Sequence, residues 1–287
     1  ALPALALAAA WDWSRRRPKA IYAAALAGVA LALFAGNLAW TVRDYFFVWP
    51  RSPQVRAIYR ADLAAAARYL DDRQPAGAAL VSAEFAADLD QQNFDYMLKH
   101  KRFVKWFDGR RALPVPAADD QPATYLFPAT RPAPLATLRR LEALSPAVER
   151  ILDDAGNVEV TVFSLTAAQV AQLRAFQPEQ RLDVSLADEI DLLGYDLPAR
   201  VRAGETIPLT LYWRVRRGGR GDTTYVFFAH VLDRRNFRWA QDDPTGFPSH
   251  SWQAGDLVAQ YFDLRMPADA PPAEHDIVIG AYEQRSG

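Results

Sequence analysis

The hydrophobic pattern of this chain changes period along its length, and each change marks an expected element. From Ala20 to Trp40, AIYAAALAGVALALFAGNLAW runs for 21 residues without a charge. At about 1.5 Å per residue such a helix spans roughly 30 Å, the thickness of a hydrocarbon core, so the pattern predicts a transmembrane helix over 20–42. In SPQVRAIYRADLAAAARYLDDR (52–73), Val55, Ile58, Tyr59, Leu63, Ala66 and Leu70 recur every three to four residues. That spacing predicts one amphipathic helix, with Ser52 as its N-cap and Pro53 at the first helical position.

Short apolar runs then alternate with helical patterns. AALVSA (78–83), RFVKWF (102–107), ATYLFPA (123–129) and VEVTVFSL (158–165) read as strands. PLATLRRLEAL (134–144) and the start of EFAADLDQQNFDYMLKHK (84–101) read as helical. This alternation predicts a small α/β layer around a mostly parallel sheet. A polar connector, RAFQPEQRLD (174–183), follows, and from Leu182 the period becomes two. In TIPLTLYWRV, Ile207, Leu209, Leu211, Trp213 and Val215 share one face, which places Trp213 in a core. TTYVFFAHVLD, LVAQYFDLRMP and HDIVIGAYE continue the alternation, separated by turn-rich segments. Such spacing predicts an antiparallel β-sandwich.

The expected architecture is therefore a membrane-anchored chain of class α/β plus all-β. Residues 1–13, apolar and placed before a basic loop, read as the tail of a preceding membrane span. Residues 20–42 are the transmembrane helix, 43–175 an extracytoplasmic α/β domain and 180–287 the β-sandwich domain.

Charge gives the apolar helix a direction. RRRPK (15–19) precedes it, whereas only Arg43 and Asp44 follow closely, so everything after about residue 42 is expected outside the cytoplasm. A cleaved signal peptide is the rival, but its apolar region is usually about 7–15 residues. In DYFFVWP (44–50), Tyr45, Phe46, Phe47 and Trp49 fall where aromatic rings favour the headgroup region. The implied partner is a lipid bilayer, and the implied location a cell membrane.

Lys and Arg total 33 against 34 Asp and Glu, a balance that gives no footprint for nucleic acid. Cysteine is absent, which excludes disulfides, thiolate metal sites and cysteine nucleophiles. The densest chemical cluster is DDPTGFPSHSWQAGD (242–256). Adjacent Asp242 and Asp243 on an extended segment point to opposite faces and are poorly placed to flank one bond. Asp243-Pro244 starts a turn, and His250 between Ser249 and Ser251 lacks a nucleophile-elbow context. The cluster reads as an inter-strand loop. Its aromatics Phe247 and Trp252, with Trp239 nearby, are candidate glycan contacts, with packing of the sandwich core as the alternative.

His100, His230, His250 and His275 form no ligand pair, and Asp233 or Asp242 have no calcium-loop spacing, so neither metal nor cofactor is expected. KHKRFVK (99–105) reads as a solvated strand flank, with anionic headgroups as its alternative partner. RGD at 220–222 reads as a hairpin in which Gly218, Gly219 and Gly221 allow positive φ.

The order of these features resembles the C-terminal region of membrane glycosyltransferases of the family 39 type. The matching strings are RDYFFVW, RFVKWFDG, LPVP, IDLLGYDLP, AGETIPLTLYWR, YVFFAHVLD, WAQDDPTGFPSHSWQAGDLV and PADAPPAEHDIVIGAYEQRSG. The resemblance implies a polytopic enzyme of a bacterial cell membrane that transfers sugar from a polyprenyl-phosphate donor to a glycan or protein acceptor. This part would be accessory, packing against the enzyme or positioning acceptor. His275 departs from the aromatic residue expected in the final strand. The family's catalytic acid lies in the first outer loop, outside this sequence, so no catalytic residue carries over. A membrane-tethered sandwich that binds carbohydrate is the alternative.

Overall fold

A computed structural model of the chain describes residues 2–15, 20–84, 89–117, 121–145, 147–186, 188–219 and 223–285. The chain divides into two compact units, Ala1–Tyr59 and Arg60–Gly287.

The first unit holds α1 (Leu2–Arg15), α2 (Ala20–Arg43), a π turn (Asp44–Val48), a 3-10 turn (Trp49–Arg51) and α3 (Pro53–Ile58). One helical stretch, Ala24–Arg51, is long and apolar enough to cross a membrane, and a signal sequence meets the same description. Of the basic RRRPK, residues 16–19 lie outside the described residues.

The single helix expected over 52–73 is two. Ser52 makes no side-chain cap, although Pro53 does open α3. Arg60 takes φ +50, and α4 (Ala61–Arg73) begins after it. The cause lies in long-range bonds. The Arg60 guanidinium reaches Asp62 at 3.2 Å, Asp90, and the Thr130 hydroxyl at 3.0 Å, which holds the residue outside helical geometry. The expected apolar stripe divides accordingly: Leu63, Ala66 and Leu70 are buried, while Ile58 and Tyr59 are exposed.

In the second unit β1 (Ala78–Ser82), α5 (Leu89–Met97), β2 (Val104–Phe107), β3 (Ala112–Val115), β4 (Ala123–Pro128), α6 (Leu135–Leu144), β5 (Val148–Leu152), β6 (Val158–Leu165) and α7 (Ala167–Arg174) follow in order. Five of these strands form a sheet ordered β2-β1-β4-β6-β5. Only β1 pairs in parallel, with β2 and β4; β6 runs antiparallel to both β4 and β5. The sheet is thus mixed rather than mostly parallel. Alternation along each strand sends side chains to both faces. Ala79, Val81, Trp106, Leu126 and Val162 pack with Leu63, Leu70 and Phe94 of α4 and α5. Leu80, Phe107, Tyr125 and Phe163 face the other way, toward Leu141, Val170 and Leu173 of α6 and α7.

That second face also belongs to the core of the all-β part. There, β7 (Gln180–Leu186), β8 (Ile190–Asp196), β9 (Thr206–Val215), β10 (Thr223–Leu232), β11 (Arg238–Asp242), β12 (Leu257–Arg265) and β13 (Asp276–Arg285) build two antiparallel sheets. One is ordered β3-β12-β9-β8-β7 and the other β11-β10-β13. They meet in a sandwich-like arrangement, with the Trp213 ring stacked on Phe227 at 4.7 Å. Trp213, Leu211, Phe227 and Val231 share one cluster with Leu80 and Tyr125.

The strand β3 ties the layers together. It comes from the LPVP segment expected in the α/β part, yet it pairs antiparallel with β12, Val115 opposite Leu257. The Tyr125 hydroxyl on β4 donates to the Pro114 carbonyl at 2.9 Å. Residues 60–287 therefore form one unit with a shared core. The polar connector shrinks to 175–179, since α7 ends at Arg174 and β7 starts at Gln180.

Candidate functional site

The loop 242–256 is assembled from groups that hold structure. Asp242 pairs with Arg111 at 2.8 Å and accepts the Asp263 amide at 2.8 Å. Asp243 lies 3.7 Å from His230 Nε2, so the two carboxylates serve different partners. Ser249 and Ser251 are buried, and Ser251 Oγ accepts the Trp106 amide at 3.0 Å. Asp256 is wholly buried. Its carboxylate accepts the amides of Ala117 and Gln253, each at 2.9 Å, and the ammonium of Lys105 on β2. Burial lowers the Lys105 pKa, and the Asp256 charge opposes that fall. Lys105 thus leaves the expected basic flank KHKRFVK for the interior. Asp71 binds the amides of His100 and Lys99 in the same segment, which hold its carboxyl below the ordinary range.

Phe247 and Trp252 are core side chains, 2% and 4% exposed. Trp252 lies 5.2 Å from Trp213, stacks on Tyr225 at 5.6 Å and donates its Nε1–H to the Phe247 carbonyl. Both rings take the second alternative, packing in the sandwich core. Trp239 on β11 differs. It is half-buried, its Nε1–H reaches Asp233 at 3.3 Å, and it meets the exposed Phe237 edge-on at 4.8 Å. Asp233 also accepts the amides of Arg235 and Phe237, forming the β10–β11 turn. Asp233 and Asp242 are therefore occupied by protein donors, and no group of three His, Asp or Glu among the described residues could hold a metal ion.

In the first unit Tyr45, Phe46, Phe47 and Trp49 are all exposed. The π turn widens the backbone spiral and lets Tyr45 stack on Trp49 at 5.4 Å, while Trp49 meets Tyr59 edge-on at 5.7 Å. Tyr45 also meets Phe46 edge-on at 5.2 Å, so three of the four rings contact one another after the uncharged run 20–40, and Phe47 is exposed as well.

RGD at 220–222 lies outside the described residues, as does Gly221. Gly218 and Gly219 do not take positive φ. Gly219 answers a different need, because a Cβ there would lie 1.4 Å from the Ser249 carbonyl oxygen. Its bare backbone lets the β9–β10 loop press against the loop 242–256.

The opposite end of the sandwich is open. A cleft of about 1020 Å³ lies where the loops 197–205 and 266–275 leave the sheets. Its walls include Leu182, Tyr195, Ile207, Met266, Ile277 and Ile279, with Arg200 and Arg202 at the rim. His275, placed just ahead of β13, lines it too; its Nδ1 faces the Ala273 carbonyl at 3.1 Å and its buried Nε2 has no hydrogen-bond partner among the described residues. The volume sits at the upper end of the range for ligand-binding clefts. No local signal could have revealed this space, since it arises from five strands facing three. Comparison with known proteins returns no matching family model, no matching curated protein and no matching solved structure.

Proposed function

We propose that this chain is the membrane-anchored, extracytoplasmic part of a polytopic bacterial glycosyltransferase that uses a polyprenyl-phosphate sugar, and that it acts as an accessory rather than supplying the catalytic acid. The observation that carries the reading is the long apolar helix, uncharged over 20–40, followed by the exposed aromatic residues Tyr45, Phe46, Phe47 and Trp49. Rings at that depth suit the headgroup region, where one edge is apolar and the other wet. Asp242 and Asp256 of the suggestive loop are committed to Arg111, Lys105 and backbone amides, which leaves both bound to structural duties.

The test is the full chain expressed in a bacterium. It should stay with membranes through alkaline extraction, with residues beyond 42 open to protease from the outer side only. Purified in detergent, it should release no polyprenyl phosphate from a sugar donor. A product trimmed near residue 42 and free in solution, or turnover by this chain alone, overturns the proposal.

A carbohydrate-binding role is supported by one observation, the half-buried Trp239 beside the exposed Phe237. Because β3 completes the larger sheet, residues 180–287 are not a separable piece, and a glycan array should be run on the full chain. Binding lost in Trp239→Ala while the variant still unfolds in one cooperative transition favours this second reading.

A further inference from the structure

The smaller sheet ends on an edge of unusual openness. β13 pairs with β10 over ten residues, from Asp276 opposite Leu232 to Arg285 opposite Thr223, without a register shift. Among the described residues it has no other strand neighbour. In an antiparallel ladder every second residue turns its N–H and C=O away from its partner, so β13 carries a row of unpaired donors and acceptors. Proteins blunt such edges with bulges, prolines or charges. The other edge of the larger sheet's open side, β7, has a bulge between Arg181 and Val184. β13 has none, and its central stretch IVIGAY (277–282) has neither proline nor charge.

The cleft lies along this edge. Ile277 and Ile279, alternate residues of β13, form one wall, and Leu182 and Tyr195 of β7 and β8 form the floor. The inward faces of the two paired strands differ in cover. Phe227, Ala229 and Val231 of β10 are buried to within 2%, whereas Ala281, Ile279 and Ile277 opposite them are only half-buried. The core thins where a fourth strand of the smaller sheet would stand.

We infer that this side of the sandwich is a docking site for an extended polypeptide strand with apolar residues at alternate positions. The incoming backbone completes the β13 ladder, and its inward side chains enter the cleft over Leu182 and Tyr195. In strand addition of this kind the main chain supplies affinity and alternate side chains supply specificity. A lipid chain could fill the apolar space, but it has no donors or acceptors for the ladder. The unpaired edge therefore favours a strand. The inference does not depend on the membrane or glycosyltransferase reading.

A fluorescent Val-Thr repeat peptide, titrated into the full chain in detergent, tests it. Saturable binding is expected, with new hydrogen-exchange protection at amides within 277–282. A peptide N-methylated at alternate residues keeps its side chains but loses one hydrogen-bonding edge, and should bind at least about tenfold more weakly. Leu182→Glu, at a site already 37% exposed, should weaken the parent peptide similarly without changing the thermal midpoint. Absence of saturable binding overturns the inference. So does equal binding of the N-methylated peptide, or uptake of oleate in place of peptide. A dimer joined through β13 that excludes peptide also overturns it, in favour of a second copy as occupant.

Discussion

The loop 242–256 and the cleft beside β13 finish the same sandwich at opposite ends, and they do so in opposite ways. At the loop end, Trp252, Phe247 and Ser251 are buried and Asp256 is surrounded by one ammonium and two amides. At the cleft end, half-buried Ile277 and Ile279 border about 1020 Å³ of space. The sequence's densest run of catalytic-looking letters sits at the sealed end. The open end is written mostly in Leu, Ile, Pro and Ala, with Arg200, Arg202, Glu274, His275 and Asp276 among its lining. Residue types that resemble chemistry are thus weak guides until their partners are known, because the same carboxylate that could activate water can instead pin a loop.

The largest test of this contrast is Asp256→Ala. It leaves the Lys105 ammonium buried without its partner, and removing one member of a buried pair costs about 3–5 kcal/mol. Urea unfolding of the full chain should show that loss; a change near zero would mean that the loop end is not sealed by this pair. Trp239→Ala sits near the other end of the scale. Its ring is half-buried at the β10–β11 turn, so a loss of about 1 kcal/mol is expected. An effect as large as that of Asp256→Ala would erase the contrast between the two ends.

The smallest effect is in pH. The Phe237 amide, and after it the Arg235 amide, hold the Asp233 carboxyl below its ordinary 3.8. A carboxylate depressed in the folded state stabilises above its unfolded pKa, and that contribution is lost as pH falls below 3.8 through the folded value. Amide exchange at Arg235 and Phe237 should quicken in that window while the amides around Asp256 stay protected. Simultaneous loosening at both places would argue against two independent ends.

Much of the secondary structure was readable in order and type. The period-two runs 206–215 and 257–265 became β9 and β12, and 134–144 became α6. Readings that depended on distant partners fared differently. The helix over 52–73 broke at Arg60 because its guanidinium binds Asp90 and Thr130, which local spacing cannot display. The proline-rich LPVP gave no sign of joining β12, a strand more than a hundred residues away. Short strands such as β5 and β11 carry too few alternations to stand out from the segments around them.

Sequence alone determined the uncharged helix, the aromatic residues after it and the alternating strands of the last hundred residues. Each of these is a local statement, since periodicity records which face of an element avoids water. Tertiary structure alone decided that Lys105 and Asp256, 151 residues apart, meet in the interior, that β3 crosses into the larger sheet, and that five strands face three. Those outcomes depend on which surfaces find each other, and a pattern of burial names the face that must be covered without naming what covers it.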